Sequence, residues 1–229
     1  EDGIRDRDVT GVQTCALPIS NVMPHLHMPL QSGSDQILQS MRRSYRRERY
    51  LGIIERVRNA IPDATITTDI IVGFPGESEE DFSQTLSLME EVNFLAAYSF
   101  QYSKRPGTPA ATMADQISDE VMADRYERLH KLQQKISAKV NEEVVGTTQE
   151  ILVADFEGEN RATGRTKDFR LTHFDNSANS ARPGDLVKVK VTEAFANHIV
   201  AGAPITVTKT KGGDAHAAWI NEQGDKKIL

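Results

Sequence analysis

Thr67-Thr-Asp-Ile-Ile-Val-Gly-Phe-Pro-Gly-Glu-Ser-Glu-Glu-Asp-Phe82 reads as a buried strand that stops in a tight turn and opens a helix. Ile70, Ile71 and Val72 form the unbroken β-branched run of a parallel strand covered on both faces, and Gly73-Phe-Pro-Gly76 breaks it. Ser78 with Asp81 makes a capping box, while Glu79, Glu80 and Asp81 load the first helical turn with negative charge. In α/β folds ligands sit beyond the carboxyl ends of the strands, so Gly73 to Glu77 are expected beside a pocket. A purely structural strand-turn-helix is the alternative.

Working outward, His25-Leu-His-Met-Pro-Leu-Gln-Ser-Gly-Ser-Asp35 repeats the pattern: a short strand, a Gly-Ser turn, and Ser34 or Asp35 capping a helix through Met41. A helix from about Arg46 to Asn59 places Tyr50, Ile54 and Val57 at helical spacing, and Pro62 closes it. A strand at Thr65 to Val72, a helix from about Glu79 to Glu91 and a strand candidate at Phe94 to Tyr102 follow. Repeated βα units argue for parallel strands with helices outside. After Ser118 a long helix runs to about Val144. Short alternating runs then take over at Gln149 to Phe156, Ala162 to Thr166, Phe169 to Phe174, Asp185 to Phe195 and His198 to Ala201, the pattern of a small β-barrel. The expected organisation is therefore a segment foreign to the domain over 1–20, an α/β domain over 21–145, an all-β domain over 146–208 and a disordered tail over 209–229.

With 38% hydrophobic and 26% charged residues, the 229-residue chain has the composition of a soluble globular protein, without an apolar run that could span a membrane. A formal net charge of -6 gives no global sign of nucleic-acid binding, though local basic patches remain able to supply it. The single cysteine, Cys15, excludes an internal disulfide and any cysteine-rich cluster built from these residues alone; a reducing, cytoplasmic setting is the default expectation, and no signal peptide is apparent. Residues 1–20 change character at Ser20-Asn21 and resemble translated sequencing-adapter text.

Several side chains are placed for chemistry. His25 and His27 share one face of their strand and could ligate a metal, but no third ligand follows at convincing spacing, so a pocket-lining or core role is preferred. Gln31, Ser32 and Ser34 stand at a strand end, where an amide and hydroxyls could bind a ligand or simply cap a helix. Asp69, inside the buried strand, must be paired, protonated or turned to a polar cavity. Tyr102, Lys104 and Arg105 end the third strand on the rim shared with Gln31 and Glu77. Arg42, Arg43, Arg46, Arg47 and Arg49 suit phosphate contacts or a solvated face. In the β domain, Arg161, Arg165, Lys167 and Arg170 lie near Phe169 and Phe174, a mixture suited to an RNA backbone and its bases.

Four ordered motifs together resemble one family: His25 to Asp35, Met41-Arg-Arg-Ser-Tyr45, Thr68-Asp-Ile-Ile-Val-Gly-Phe-Pro-Gly-Glu77 and Tyr102-Ser-Lys-Arg-Pro-Gly-Thr-Pro-Ala-Ala111. They are similar to the radical S-adenosylmethionine methylthiotransferases, closest to the MiaB type, from about Asn21 to Ala203. Gly164-Arg-Thr166 is similar to the TRAM module that ends these enzymes. The resemblance implies the fold as well: the C-terminal half of a partial (β/α) radical-SAM barrel followed by a small all-β, OB-like TRAM barrel. It implies a monomeric tRNA methylthiotransferase, placing a methylthio group on carbon 2 of N6-isopentenyladenosine beside the anticodon. It also implies S-adenosylmethionine and two 4Fe-4S clusters, one of which reduces S-adenosylmethionine to a 5′-deoxyadenosyl radical.

Carried over residue by residue, Gln31, Ser32, Gly73, Pro75 and Glu77 are expected to border S-adenosylmethionine. Tyr102, Arg105, Arg161, Arg165, Lys167 and Arg170 are expected on the substrate or RNA side. The family's cysteine triads have no counterpart in these residues, so no catalytic and no metal-ligating residue is assigned. The expectation is a fragment that is inactive alone and leaves strand edges and apolar surface uncovered. The alternatives are a non-catalytic RNA-binding module acting through the TRAM domain, a methylthiotransferase of a sister branch with a different tRNA or ribosomal-protein target, and a metal-binding α/β protein using His25 and His27.

Overall fold

A computed structural model describes residues 23–226, with side chains described as far as Ile220; the expectations for residues 1–20, for Cys15 and for 227–229 lie outside the described residues. The chain divides between Ser137 and Ala138 into two compact units.

The first unit is built on three parallel strands, β1 (His25–His27), β2 (Thr65–Val72) and β3 (Ala96–Gln101), in the order β1-β2-β3. Helices α1 (Asp35–Ser40) and α2 (Arg47–Ala60) connect β1 to β2, and α3 (Glu79–Val92) connects β2 to β3. A short 3-10 turn (Pro109–Thr112) leads to α4 (Asp119–Glu142). Register pairs His27 with Thr67 and Asp69 with Tyr98, which fixes two faces of opposite character. Ile66, Thr68, Ile70 and Val72 are buried, along with Phe82, Leu88 and Met89 of α3. The opposite face is covered at Thr65 and Thr67 but opens toward the carboxyl ends, where Asp69 and Ile71 are half-buried and Tyr98 and Phe100 are exposed. Coverage of β2 on both faces therefore holds only for its first half. The polar break at Asp69 marks where it ends.

The α3 start follows from the expected capping box: Ser78 Oγ accepts from the Asp81 N–H at 3.1 Å, and Asp81 Oδ2 accepts from the Ser78 N–H at 2.9 Å. Asp81 also accepts from Ser34 Oγ at 2.5 Å, so one carboxylate ties the β1–α1 loop to the start of α3. Burial pushes this carboxyl up, but the Ser34 and Ser78 hydrogen bonds outweigh it and hold it below the usual range.

The second unit is a closed β-barrel. Strands β4 (Thr148–Glu157), β5 (Arg161–Thr166), β6 (Leu171–Asp175), β7 (Leu186–Ala194) and β8 (Ile199–Ala201) follow the order β4-β5-β6-β8-β7, and β7 returns to pair with β4. Ile151, Val153, Ala162, Phe174, Val187 and Val189 fill its core, each from the inward set of an alternating strand. A further strand, β9 (Thr206–Thr208), pairs with β7 beyond the expected set.

Two expectations are corrected here. The strand expected from Phe169 begins instead at Leu171, because Phe169 adopts φ 75° in a turn that its N–H closes on the Thr166 carbonyl at 3.1 Å. The tail expected to be disordered forms α5 (Lys211–Lys226). Thr210 caps it through Gly213 N–H at 3.0 Å, and Gly213 is needed there, since a Cβ would lie 2.4 Å from Asp185 Oδ1. Composition concealed this anchor, which lies in a residue far back in the chain.

Candidate functional site

The loops that follow β1, β2 and β3 converge on a cleft of about 700 Å³ at the carboxyl ends of the parallel strands. Gln31, Asp69, Phe74, Tyr102 and Arg105 line it, joined by Arg42 and Arg43 from the turn after α1. Gln31 sits at φ 72°, a costly conformation for a residue with a side chain. Two backbone bonds hold it there, its N–H to the Asp69 carbonyl at 2.8 Å and its carbonyl to the Ile71 N–H at 2.9 Å. Tyr102 packs edge-on against Phe74 at 5.3 Å, and its buried hydroxyl has no hydrogen-bond partner among the described residues. Tyr102 thus lines the cleft while its hydroxyl is shielded from solvent.

The other residues expected to touch a cofactor serve the walls. Ser32 is fully buried, with Oγ accepting from the Ser34 N–H at 3.2 Å. Glu77 is turned inward: its Oε2 accepts from the Gly73 N–H and from Arg125 Nη1, both at 2.8 Å. Burial raises this carboxyl above its usual value, and Gly73 and Arg125 offset only part of the rise. Pro75 is buried in the same turn. Gly73 combines φ 76° with close packing, since a Cβ would stand 2.2 Å from Met122 Cγ. Gly73→Ala is therefore expected to destabilise this unit by about 1–3 kcal/mol. Hydrogen exchange at β2 amides checks it, and wild-type protection in the variant would count against the close fit.

The remaining candidates divide cleanly. His25 Nε2 and His27 Nδ1 lie 3.1 and 3.0 Å from Thr67 Oγ1, and His27 Nε2 lies 3.4 Å from Asp69 Oδ2, so both imidazoles are engaged across the sheet. Among the described residues no group of three or more His, Cys, Asp or Glu could hold a metal ion. Arg46 donates to the carbonyls of Arg43 and Tyr45, and Arg47 pairs with Glu91 at 2.9 Å. Arg42, Arg43 and Arg105 are exposed at the cleft and form no ion pair among the described residues.

On the barrel, Arg161, Arg165 and Lys167 are exposed; Arg165 lies over the Phe169 ring at 4.2 Å, and Lys167 pairs with Glu150 at 2.9 Å. Arg170 is corrected: it is 6% exposed, paired with Asp168 and bonded to Asn141 Oδ1 and the Val140 carbonyl, so it is consumed inside the second unit, to which these last residues of α4 belong. Phe174 is likewise core, not a stacking surface. Sequence reasoning missed the exposed Phe195 ring, which stacks on His198 at 4.7 Å.

Comparison with known proteins agrees with this geometry. Residues 17–89 match the radical SAM superfamily and residues 142–198 match the TRAM domain, so the chain joins part of a radical SAM domain to a TRAM barrel. It is 56% identical over 208 residues to a tRNA-2-methylthio-N(6)-dimethylallyladenosine synthase of Nocardia farcinica, covering 87% of this chain and 41% of that protein. Proteins of the same name from Mycolicibacterium smegmatis and Thermobifida fusca are each 57% identical, over 86% of this chain and 40% and 42% of their own lengths. The chain is thus similar to these synthases over most of its own residues, and it spans about two fifths of the length of the curated relatives it matches. No helix among the described residues is long and apolar enough to cross a membrane.

Proposed function

We propose that this chain supplies cofactor-facing strands and the RNA-binding barrel of an enzyme that adds a methylthio group to carbon 2 of N6-isopentenyladenosine beside a tRNA anticodon, in the cytoplasm. The observation that carries this reading is the union, in one chain 56% identical to a relative so named, of a strand-end cleft with a TRAM barrel. S-adenosylmethionine suits the cleft, whose lining mixes the polar Gln31, Asp69 and Arg105 with the aromatic Phe74 and Tyr102, and when bound it would supply the radical chemistry of the family. The cluster does not suit these residues: a 4Fe-4S site needs closely spaced thiolates, and the sequence holds one cysteine.

The chain's own residues bind and position. Gln31 and Tyr102 face the cofactor, while Ser32, Gly73, Pro75 and Glu77 fix the loops that carry the cleft. Arg42, Arg43 and Arg105 take RNA phosphates at the cleft, and Arg161, Arg165 and Lys167 take RNA phosphates on the barrel. Anticodon stem-loop RNA carrying N6-isopentenyladenosine should bind the full chain in a gel shift at low salt. The triple variant R42N/R43Q/R105Q should bind at least about tenfold more weakly at 0.15 M salt, with the slope of log K against log salt shallower by about 2. Asparagine is chosen at 42 because Arg42 has φ 58°. No detectable binding by the wild-type chain would sink the reading.

A further inference from the structure

The turn between β7 and β8 holds an aromatic ring out into solvent in a fixed pose. Phe195 is 44% exposed, yet its backbone is pinned twice: its N–H donates to the His198 carbonyl at 2.9 Å, and its carbonyl accepts from Asn141 Nδ2 at 2.7 Å. The His198 ring lies nearly parallel to it, 4.7 Å away at 16°. His198 in turn meets His173 edge-on at 4.8 Å, and His173 Nδ1 is bonded to Glu157 Oε2 at 2.7 Å. Arg161 completes the group, its Nε 3.8 Å from the same Glu157 oxygen. A single exposed apolar residue on a surface requires no explanation. This one differs because its backbone is pinned and its ring is backed by His198, whose neighbour His173 shares Glu157 with Arg161.

We propose that Phe195 and His198 form a stacking platform for one unpaired RNA base, with Arg161 at its edge for the adjoining phosphate. The inference rests on RNA being the partner, as above, and names the barrel surface that meets a base. Exposed aromatic rings bind bases of any sequence because every base has a π-face, and a neighbouring guanidinium satisfies the backbone charge. Charge is consistent with that occupant: Arg161 offsets Glu157, whose carboxyl the His173 hydrogen bond and the nearby Arg161 hold below the usual range. Burial, His173 and Arg161 push His198 down as well, which favours a neutral ring against the Phe195 face near pH 7.

The test uses the full chain and a single-stranded oligoribonucleotide carrying 2-aminopurine. Binding should quench the 2-aminopurine fluorescence, reporting stacking. Phe195→Leu should abolish the quenching and weaken binding about tenfold, whereas Phe195→Trp should retain both. Arg161→Gln should leave the quenching in place and make the salt slope shallower by about 0.7. Heparin, a polyanion without bases, should bind wild type and F195L alike, and unchanged thermal melting of F195L should accompany these results. If F195L binds and quenches as wild type does, the platform is overturned while the RNA-binding reading stands. If the wild-type chain binds no RNA at all, both fall.

Discussion

Arg125→Leu should destabilise the first unit by about 3–5 kcal/mol, seen as lost hydrogen-exchange protection in β2 and α3 amides. The side chains of Arg125 and Glu77 are 6% and 1% exposed, and Arg125 Nη1 donates to both the Glu77 carboxylate and the Glu77 carbonyl, at 2.8 and 2.9 Å. Removing the guanidinium leaves a carboxylate in a dry site with the Gly73 N–H as its main support. The desolvation already suffered by Glu77 is then uncompensated. Glu77→Gln should cost less, because an amide oxygen can still accept from Gly73 and Arg125 lies 3.5 Å from Glu79. The double variant E77L/R125L should cost less than R125L alone, a coupling read from the double-mutant cycle. Equal losses in R125L and the double variant would overturn the assignment. The pH dependence has a defined sign. Since the folded Glu77 value is raised, its titration favours the folded state at low pH and loses that contribution as pH rises through the folded value. This pair is therefore not a source of acid lability.

Glu77 also shows where sequence reading stops. The strand-turn-helix of Thr67 to Phe82, its capping box and the cleft beside it follow from local rules, because β-branching, Pro-Gly breaks and capping distances act over a few residues. Whether a carboxylate in that turn faces the cleft or the interior depends on Arg125, which is 48 residues away in sequence. The same limit explains Arg170, whose partners Asn141 and Val140 lie at the end of α4. In both cases a charge that reads as functional is consumed by a long-range contact. Phe195 errs in the opposite direction: placed at the end of an alternating run, it reads as an ordinary strand terminus, and only the turn that brings His198 onto it reveals a ring kept in solvent. Gln31, Tyr102 and Arg105 were legible because strand ends project their residues onto one rim irrespective of distant packing.

Asp185→Asn should lower the stability of the second unit by about 2–4 kcal/mol at pH 7 and flatten its loss of stability in acid. The carboxylate is fully buried and accepts from Arg182 N and Nε at 3.0 and 3.2 Å, from Lys209 Nζ at 3.0 Å and from the Thr210 N–H at 3.3 Å. Burial pushes the carboxyl up, but the Arg182 and Lys209 bonds, with those backbone N–H groups, outweigh it and hold it well below the usual range. With the folded value depressed, the unfolded chain binds the proton more readily. The stabilisation is present above the unfolded value near 3.8 and is lost as pH falls toward the folded one, at up to about 1.4 kcal/mol per pH unit. An asparagine cannot titrate, and its amide N–H₂ must face donors that the second carboxylate oxygen accepted, so the variant begins weaker and changes less with acid. The network reaches α5 directly: Arg182 Nη2 also pairs with Asp214 at 2.9 Å, and Thr210, which donates to the Gly184 carbonyl, caps the helix. Trp219, the chain's only tryptophan, lies on α5 and is 57% exposed, so its fluorescence reports detachment of that helix. Urea titrations of wild type and D185N, followed at Trp219 and by far-ultraviolet circular dichroism at pH 7 and pH 3, measure both parts of the expectation. Equal urea midpoints at pH 7 would show that the buried carboxylate does not hold the barrel to α5, and parallel acid losses would assign the lability to other carboxylates.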